Sequence, residues 1–350
     1  MKTVAVMALA PGMVLGEDVV FQNKVVFPAG TKLDQLKIDK IKHYSIMCAT
    51  IMEAVDFAST HYEKIRYDEN FKQFEKDYFT ALMRYKAYMF GLLQKGVPIP
   101  DEALLQIYED LYADISSGAV LLDFLYNMMP NEDELTFSHC LNSALLAGAF
   151  ADWISMTEQD KRTLILCGFY YDIGKLQLPY DLLWKPDKLT EEEFKMVQTH
   201  PVVGYAFVRN LNLDNHIKNA VIMHHERLDG SGYPYHMQGQ KIDVFARYIS
   251  IIDSYIAMAS PRSYRNAFTP LQILGKLEDD MSKYDAMILM PVMKRIADAQ
   301  IGTRVQTSDG RVWEVFIIHP HKFSRPILKS DSNEILDLLQ YPELEIVKMM

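Results

Sequence analysis

The sequence predicts a mainly helical protein, in which a helical bundle lies between a small N-terminal α+β module and a small C-terminal β module. Three observations predict this class. Residues 119–299 carry apolar side chains at helical spacing. Residues 4–58 alternate short apolar runs with turn residues. After residue 302, short apolar and β-branched runs flank an Asp309-Gly310 turn, which is typical of a hairpin.

The 350 residues divide into four predicted segments. Residues 1–60 form the α+β module, which we expect to be regulatory, with one helix over residues 33–44. Residues 61–118 form connecting helices, residues 119–299 form the helical domain, and residues 300–350 form the β module. The connecting segment is predicted helical because its large apolar residues recur at helical spacing: Phe71, Phe74, Tyr78, Leu82, Tyr85 and Met89.

Three helix boundaries can be predicted within the helical domain. Thr157 starts a helix, because its hydroxyl can accept a hydrogen bond from a free backbone N–H. Thr190 and Glu193 form a capping box, and the helix that they open is predicted to run into His200-Pro201. Gly174 is expected to end the helix that passes through residues 165–173, because glycine tolerates the left-handed C-terminal position.

Composition excludes several classes of function. The net charge of −10, from 36 basic and 46 acidic residues, argues against binding to long nucleic acids but allows one local basic pocket. The three cysteines lie far apart, so neither a thiolate zinc knuckle nor a disulfide framework is predicted, and a cytoplasmic location is expected. No apolar run reaches the ~20 residues of a membrane span or suits a signal peptide.

Polar residues in apolar helical surroundings indicate where chemistry takes place. Asp172 and Asp253 each lie in an apolar stretch, where a buried carboxylate needs a salt bridge, a helix cap or a metal. Four histidines, at positions 139, 200, 224 and 225, fall in the same domain. His139 alone would be a packed core residue and His200 alone a helix-end residue, whereas the adjacent pair is harder to explain by packing. Together with the two acids, the four histidines form a ligand set without thiolate that suits iron, manganese, zinc or nickel.

The adjacent positions of His224 and His225 restrict where in a helix both could bind metal. Adjacent side chains on a regular helix project ~100° apart, so both reach metal only near a helix end and beside a cluster of two metals. Two metal ions ~3.5–4 Å apart suit attack on a phosphodiester. Lys175 lies close to Asp172 in the sequence and adds positive charge for the phosphate.

Two blocks resemble a known family. Residues 171–175 (YDIGK) resemble the signature of HD-domain phosphohydrolases, and residues 224–234 (HHERLDGSGYP) resemble the complete HD-GYP signature. Residues 184–201 and the block from Arg262 to Arg265 are similar to further family segments, so the resemblance extends over residues 120–295. It implies a helical HD-type bundle in a bacterial signalling protein that hydrolyses cyclic di-GMP to pGpG, GMP or both.

The resemblance also implies roles for individual residues and two divalent metal ions, iron or manganese. The implied metal ligands are His139, Asp172 (bridging), His200, His224, His225 and Asp253. Asp172 and Lys175 would act in catalysis, with Lys175 at the phosphate. Gly232, Tyr233 and Pro234 would shape the substrate pocket. Arg262 and Arg265 would hold phosphate or guanine, a task for which the planar guanidinium fork is suited.

The sequence departs from the family pattern at three positions. Tyr171 replaces a metal-ligand histidine, so one site keeps only His139, Asp172 and Asp253 and is expected to be weak or empty. Tyr171 either ligates metal as tyrosinate or packs in the core, and the usual burial of aromatic residues favours packing. Leu135 and Ile256 replace a glutamate and an aspartate, which removes the third metal site and a partner of Asp253.

Three functions remain open, and the first is preferred. The protein is an active cyclic di-GMP phosphodiesterase, a catalytically weakened receptor or signalling scaffold, or a structural helical protein whose histidines only pack. The receptor would bind cyclic di-GMP through Tyr233, Arg262 and Arg265. The resemblance is compatible with a signalling protein as partner and with a homodimer.

Overall fold

The computed structural model describes residues 1–21, 24–44, 46–52, 60–128, 134–183, 185, 189–260 and 267–350, with backbone alone at Tyr180 and Asp181. The chain divides into two compact units, Met1–Glu69 and Asn70–Met350. None of the described helices has both the length and the apolar character that crossing a bilayer requires.

The N-terminal unit has the predicted α+β composition. Strand β1 (Lys2–Ala5) pairs antiparallel with β4 (Cys48–Ile51), and β2 (Val19–Phe21) pairs antiparallel with β3 (Lys24–Phe27). Helix α1 (Gln35–His43) begins where the Asp34 carboxylate accepts the N–H of Lys37. Leu15, Ile38 and Ile41 lie in the core of this unit. Helix α2 (His61–Ile65) follows at its end.

The larger unit is mainly helical, as the apolar spacing predicts. Its helices are α3 (Glu69–Lys95), α4 (Asp101–Tyr112), α5 (Gly118–Asn127), α6 (Leu135–Trp153), α7 (Glu158–Tyr170), α8 (Tyr180–Leu183), α9 (Glu191–Val197), α10 (His200–Val208), α11 (Asn215–Met223), α12 (Val244–Ala259), α13 (Pro270–Asp279) and α14 (Ala286–Asp298). Helix α6 is central: it is buried from Phe137 to Ala151 and packs against α7 and α12. Helix α11 packs against α7, α10 and α12.

The predicted caps of α7 and α9 are confirmed, but α9 is shorter than predicted. The Thr157 side chain accepts the N–H of Asp160, and Thr190 forms a capping box with Glu193. The helix opened by Thr190 ends at Val197, and α10 begins as a separate helix at His200. Pro201 suits the first turn of α10, where its missing N–H would have no intrahelical partner.

Gly174 does not end a helix as predicted. Helix α7 already ends at Tyr170, and Gly174 lies inside a 3₁₀ helix over Ile173–Gln177 that packs against α10. A Cβ atom on Gly174 would lie 1.9 Å from the carbonyl oxygen of His200. Glycine is therefore required here by the close approach of two backbones, rather than by a left-handed conformation.

The predicted small C-terminal β module is confirmed, and it is a five-stranded antiparallel sheet. Its strands are β5 (Arg304–Thr307), β6 (Val312–Ile317), β7 (Ile327–Lys329), β8 (Ile335–Asp337) and β9 (Ile346–Met349), in the spatial order β8-β7-β6-β5-β9. The Asp309-Gly310 turn joins β5 to β6, with Gln306 opposite Val312. Trp313 is buried beneath this hairpin and donates from Nε1 to the hydroxyl of Thr307 at 3.1 Å.

Candidate metal centre

The fold brings the six implied ligands together from five places in the chain. His139 lies on α6, Asp172 follows α7, His200 begins α10, His224 and His225 follow α11, and Asp253 lies on α12. They form two groups that share Asp172: the histidine-rich group (Asp172, His200, His224 and His225) and the carboxylate group (His139, Asp172 and Asp253). Within each group the ligand atoms lie within 4.8 Å of one another, so each could surround one metal ion.

The adjacent histidines meet the geometric condition set by their spacing. Helix α11 ends at Met223, so His224 is its C-terminal cap and His225 lies beyond it. The two ring centroids are 4.2 Å apart, and the ring of His225 meets that of His200 edge-on at 5.0 Å. The end of the helix therefore lets neighbouring side chains turn toward the same point.

Hydrogen bonds to backbone carbonyls orient His200 and His224. Nδ1 of His200 donates to the carbonyl of Val197 at 2.7 Å, and Nδ1 of His224 donates to that of Ala220 at 3.0 Å. In the neutral imidazoles, each Nε2 then carries a lone pair rather than a hydrogen. These two Nε2 atoms lie 3.1 Å apart. Two facing lone pairs repel unless a cation lies between them, and an Nδ1–H bound to a carbonyl is the usual second contact of a metal-binding histidine.

Asp172 places a carboxylate oxygen next to the two facing Nε2 atoms. It is fully buried, and its Oδ1 lies 3.2 Å from Nε2 of His200 and 3.5 Å from Nε2 of His224. Neither contact has hydrogen-bond geometry, so among the described residues this buried oxygen has no hydrogen-bond partner. Buried oxygens of this kind are rarely left unsatisfied. The nitrogen and oxygen donors that face one another here fit a divalent metal ion of intermediate hardness.

Charges around the centre favour the protonation states that bind metal. Burial opposes ionisation of Asp172, but the Lys175 ammonium, 2.6 Å from Oδ2, and the adjacent imidazoles outweigh it and hold its pKa well below the usual value. Burial lowers the pKa of His200, and burial together with the neighbouring His224 lowers that of His225 much further. A carboxylate and neutral imidazoles are the forms that ligate metal.

The carboxylate group is held by hydrogen bonds within the protein. Nε2 of His139 lies 2.8 Å from Oδ1 of Asp253, and the hydroxyl of Tyr171 donates to the same oxygen at 3.3 Å. Although burial alone would raise the pKa of Asp253, the hydrogen bond from His139 and the nearby His225 lower it. Burial, followed by the charges of Asp253 and Asp172, raises the pKa of Tyr171 well above its usual value. A buried neutral phenol fits the packing role that the sequence favoured for Tyr171.

The signature loop packs on the candidate ligands. A Cβ atom on Gly232 would lie 2.4 Å from the backbone nitrogen of Arg227 and from the carbonyl oxygen of His225, so only glycine fits. The ring of Tyr233 stacks on that of His225 with 4.6 Å between centroids. Pro234 is half-buried beside them. The substrate-pocket role of these three residues stays a prediction, and Arg262 and Arg265 lie outside the described residues.

Two residues that were not among the predicted site residues, Glu226 and Arg227, hold this loop in place. The buried Glu226 carboxylate accepts the N–H of Tyr235 at 2.7 Å and that of Met237 at 2.9 Å. Arg227 donates to the carbonyl of His224 at 3.1 Å. The available signal was an acid and a base directly after two candidate ligands, inside a block rich in turn residues.

Comparison with known proteins places this centre in a recognised domain. A family profile described as HD domain matches residues 123–288. Over 202 residues the chain is 27% identical to "Cyclic di-GMP phosphodiesterase PA4108" of Pseudomonas aeruginosa, covering 57% of this chain and 49% of that protein. It is 31% identical over 169 residues to "3'3'-cGAMP-specific phosphodiesterase 1" of Vibrio cholerae, covering 48% of this chain and 38% of the relative.

The chain is also similar to a third curated relative and to a protein of known structure. The "Cyclic di-GMP phosphodiesterase response regulator RpfG" of Xanthomonas campestris is 34% identical over 127 residues, covering 35% of this chain and 33% of that protein. The structure of Bd1817, described as a HDG"Y"P protein from Bdellovibrio bacteriovorus, aligns with 84% of this chain and 99% of its own at a TM-score of 0.46 and 14% identity. The chain thus spans half or less of the length of these three curated relatives.

Proposed function

We propose that the protein is a metal-dependent phosphodiesterase of the HD-GYP family that hydrolyses cyclic di-GMP to pGpG, GMP or both, because an HD-domain profile matches residues 123–288 and the relatives carry the names of cyclic dinucleotide phosphodiesterases. The observation that carries the proposal is the histidine-rich group, in which two imidazole lone pairs face a common point with one carboxylate oxygen that accepts no hydrogen bond from the described residues. The names of the relatives support cyclic dinucleotides as the substrate class.

The chain's own residues prepare this point for a divalent metal, for which we propose iron or manganese. His200, His224 and His225 offer nitrogen donors, and backbone carbonyls hold the first two in one orientation. When bound, a divalent ion supplies positive charge that acidifies water and stabilises charge on a phosphate. The shared carboxylate of Asp172 lies where it can serve both ligand groups.

Lys175 and the signature loop would bind the substrate. The Lys175 ammonium lies 2.6 Å from Oδ2 of Asp172 and is partly exposed, so it brings positive charge to the edge of the centre, where a phosphate would approach. Tyr233 covers His225 and offers an aromatic surface for a base. We assign phosphate or guanine contacts to Arg262 and Arg265. We also propose that residues 1–60 are regulatory and that the domain boundaries lie at residues 61, 119 and 300.

A receptor role is the second candidate, and one observation favours it. The phenol of Tyr171 stands where the family resemblance implies a metal-ligand histidine, so the carboxylate group lacks one imidazole. A protein with this change could retain the fold and the signature loop while losing turnover. The two candidates therefore differ in the rate of hydrolysis and not in the nucleotide that they bind.

Turnover by metal-loaded protein separates the two candidates. The full chain is purified without oxygen, loaded with Fe²⁺ or Mn²⁺ and incubated with cyclic di-GMP or 3'3'-cGAMP, and the products are separated by chromatography. We expect linear pGpG or GMP from cyclic di-GMP. Asp172→Asn should reduce the rate by at least ~100-fold, because it removes the shared charged ligand. Asp279→Asn, a change at an exposed acid on α13, should leave the rate unchanged.

Two outcomes would count against the proposed enzyme. Binding of cyclic di-GMP without turnover under any of these metals would favour the receptor. Faster hydrolysis of 3'3'-cGAMP than of cyclic di-GMP would replace the proposed substrate while leaving the reaction class in place.

A further inference from the structure

The two ligand groups differ in how well the protein alone satisfies them. In the histidine-rich group, two Nε2 lone pairs lie 3.1 Å apart, and Oδ1 of Asp172 has no hydrogen bond from the described residues. These atoms require a cation between them. In the carboxylate group, by contrast, Oδ1 of Asp253 and Oδ2 of Asp172 each face a hydrogen-bond donor, so the need for a cation is much weaker there.

The hydrogen bonds at Asp253 show this difference most clearly. Its Oδ1 faces Nε2 of His139 at 2.8 Å, and since a carboxylate only accepts, the imidazole nitrogen must donate. A nitrogen that carries this hydrogen has no lone pair for a metal. The hydroxyl of Tyr171 donates to the same oxygen at 3.3 Å, and the hydroxyl of Ser143, 3.1 Å away, supports the phenol.

The oxygen that Asp172 contributes to the carboxylate group also faces a donor. Oδ2 of Asp172 lies 2.6 Å from the ammonium of Lys175 and 3.8 Å from Nε2 of His139. One positive charge therefore already lies against the oxygen that would bridge to a second ion. One oxygen of each carboxylate in this group thus accepts a hydrogen bond within the protein.

We propose that this chain binds one divalent metal ion, in the histidine-rich group, and that Tyr171 closes the second metal position by hydrogen-bonding Asp253. Ser143 supports the phenol from behind, and Lys175 carries the positive charge on the other side of Asp172. This inference rests on the proposed function only in taking the same centre to bind metal, and it narrows the expected pair of ions to a single one.

Metal content per chain tests the inference. The full-length protein is stripped with a chelator, dialysed to equilibrium against Mn²⁺ and analysed by plasma mass spectrometry. We expect one ion per wild-type chain and loss of that ion in His224→Ala. Tyr171→His should raise the content to two, because it supplies an imidazole and removes the phenol. The matched variant Tyr171→Phe should keep one ion, because it adds no ligand and His139 still donates to Asp253.

Two ions in the wild-type protein would overturn the inference, whether or not Tyr171→His folds. A visible charge-transfer band after loading with ferric iron, lost in Tyr171→Phe, would also overturn it, because Tyr171 would then be a ligand. Hydrolysis of cyclic di-GMP is measured in a separate assay from metal content. One ion per chain without turnover would support this inference and contradict the proposed function. Two ions per chain with turnover would contradict this inference and support the proposed function.

Discussion

Asp172 illustrates how a buried charge is stabilised in this protein. A carboxylate in an apolar interior is costly unless charged or hydrogen-bonded partners surround it. Lys175 lies against one of its oxygens at 2.6 Å, while the other faces the imidazoles of His200 and His224 without a hydrogen bond. The apolar stretch around Asp172 was enough to predict that it needs partners. The sequence alone did not indicate that its two oxygens would have different ones.

The histidines predict how the stability of the metal-free protein changes with pH. Burial lowers the pKa of His200 and His225 in the folded state, whereas unfolded histidine titrates near ~6.5. Below this pH the unfolded chain binds protons that the folded protein does not, so acidification favours unfolding. We expect the free energy of unfolding to fall between pH 7.5 and 5.5, by at most about 1.4 kcal/mol per pH unit for each histidine.

Urea unfolding of chelator-treated protein at these two pH values measures this change. His225→Gln should make the free energy of unfolding depend less on pH, because the side chain no longer titrates. His321→Gln, a change at an exposed histidine of the C-terminal module, should retain the wild-type dependence. Stability that rises toward pH 5.5 in the wild-type protein would show that the buried imidazoles are not held neutral.

The junction between the 3₁₀ helix and α10 determines where His200 lies. Gly174 touches the carbonyl of His200, and α10 presents its first residue to the centre. Local signals predicted the caps at Thr157 and Thr190 correctly, because each cap depends on residues within one helical turn. The role of Gly174 depends on a helix that comes later in the chain, so local signals pointed to a helix end instead.

Gly174→Ala tests this junction. Its Cβ would lie 1.9 Å from the carbonyl oxygen of His200, so the backbones must separate. We expect a loss of about 1–3 kcal/mol in the free energy of unfolding, as in other overpacked sites, and weaker binding of Mn²⁺ in titration calorimetry.

The matched control is Gly91→Ala on α3, where an added Cβ meets nothing within 4 Å. Replacing a helical glycine at an open position should leave metal affinity unchanged and stabilise the fold by about 0.5–1 kcal/mol. Equal metal affinity in Gly174→Ala and wild-type protein would mean that the junction does not position His200.

At the scale of the whole molecule, the sequence predicted the fold class and the identity of the candidate metal ligands. It did not predict how those ligands are arranged in space. Apolar spacing identified the helical domain, and turn residues identified the two flanking modules. The family resemblance named six ligands, and the structure brings all six together. Their division into an unsatisfied and a satisfied group depends on long-range contacts, such as that of Tyr171, at the end of α7, with Asp253 on α12. No local pattern encodes such contacts.

The flanking modules show a second limit of sequence reasoning. A small C-terminal β module with one hairpin was predicted from its turn and strand residues, but the attachment of the module to the helices was not. Glu278 on α13 accepts the N–H of Ser324 at 3.2 Å and the ammonium of Lys322 at 2.8 Å. This nearly buried carboxylate ties the β module to the helical part. An isolated acid near a helix end carries no signal for such a contact.

The location of bound metal tests the central claim most directly. Crystals of the full chain loaded with Mn²⁺ would be measured by anomalous diffraction. The account predicts a peak about 2.0–2.2 Å from Nε2 of His200, Nε2 of His224 and Oδ1 of Asp172. Metal bound elsewhere, with the two Nε2 atoms still facing each other across 3.1 Å and no peak between them, would contradict it.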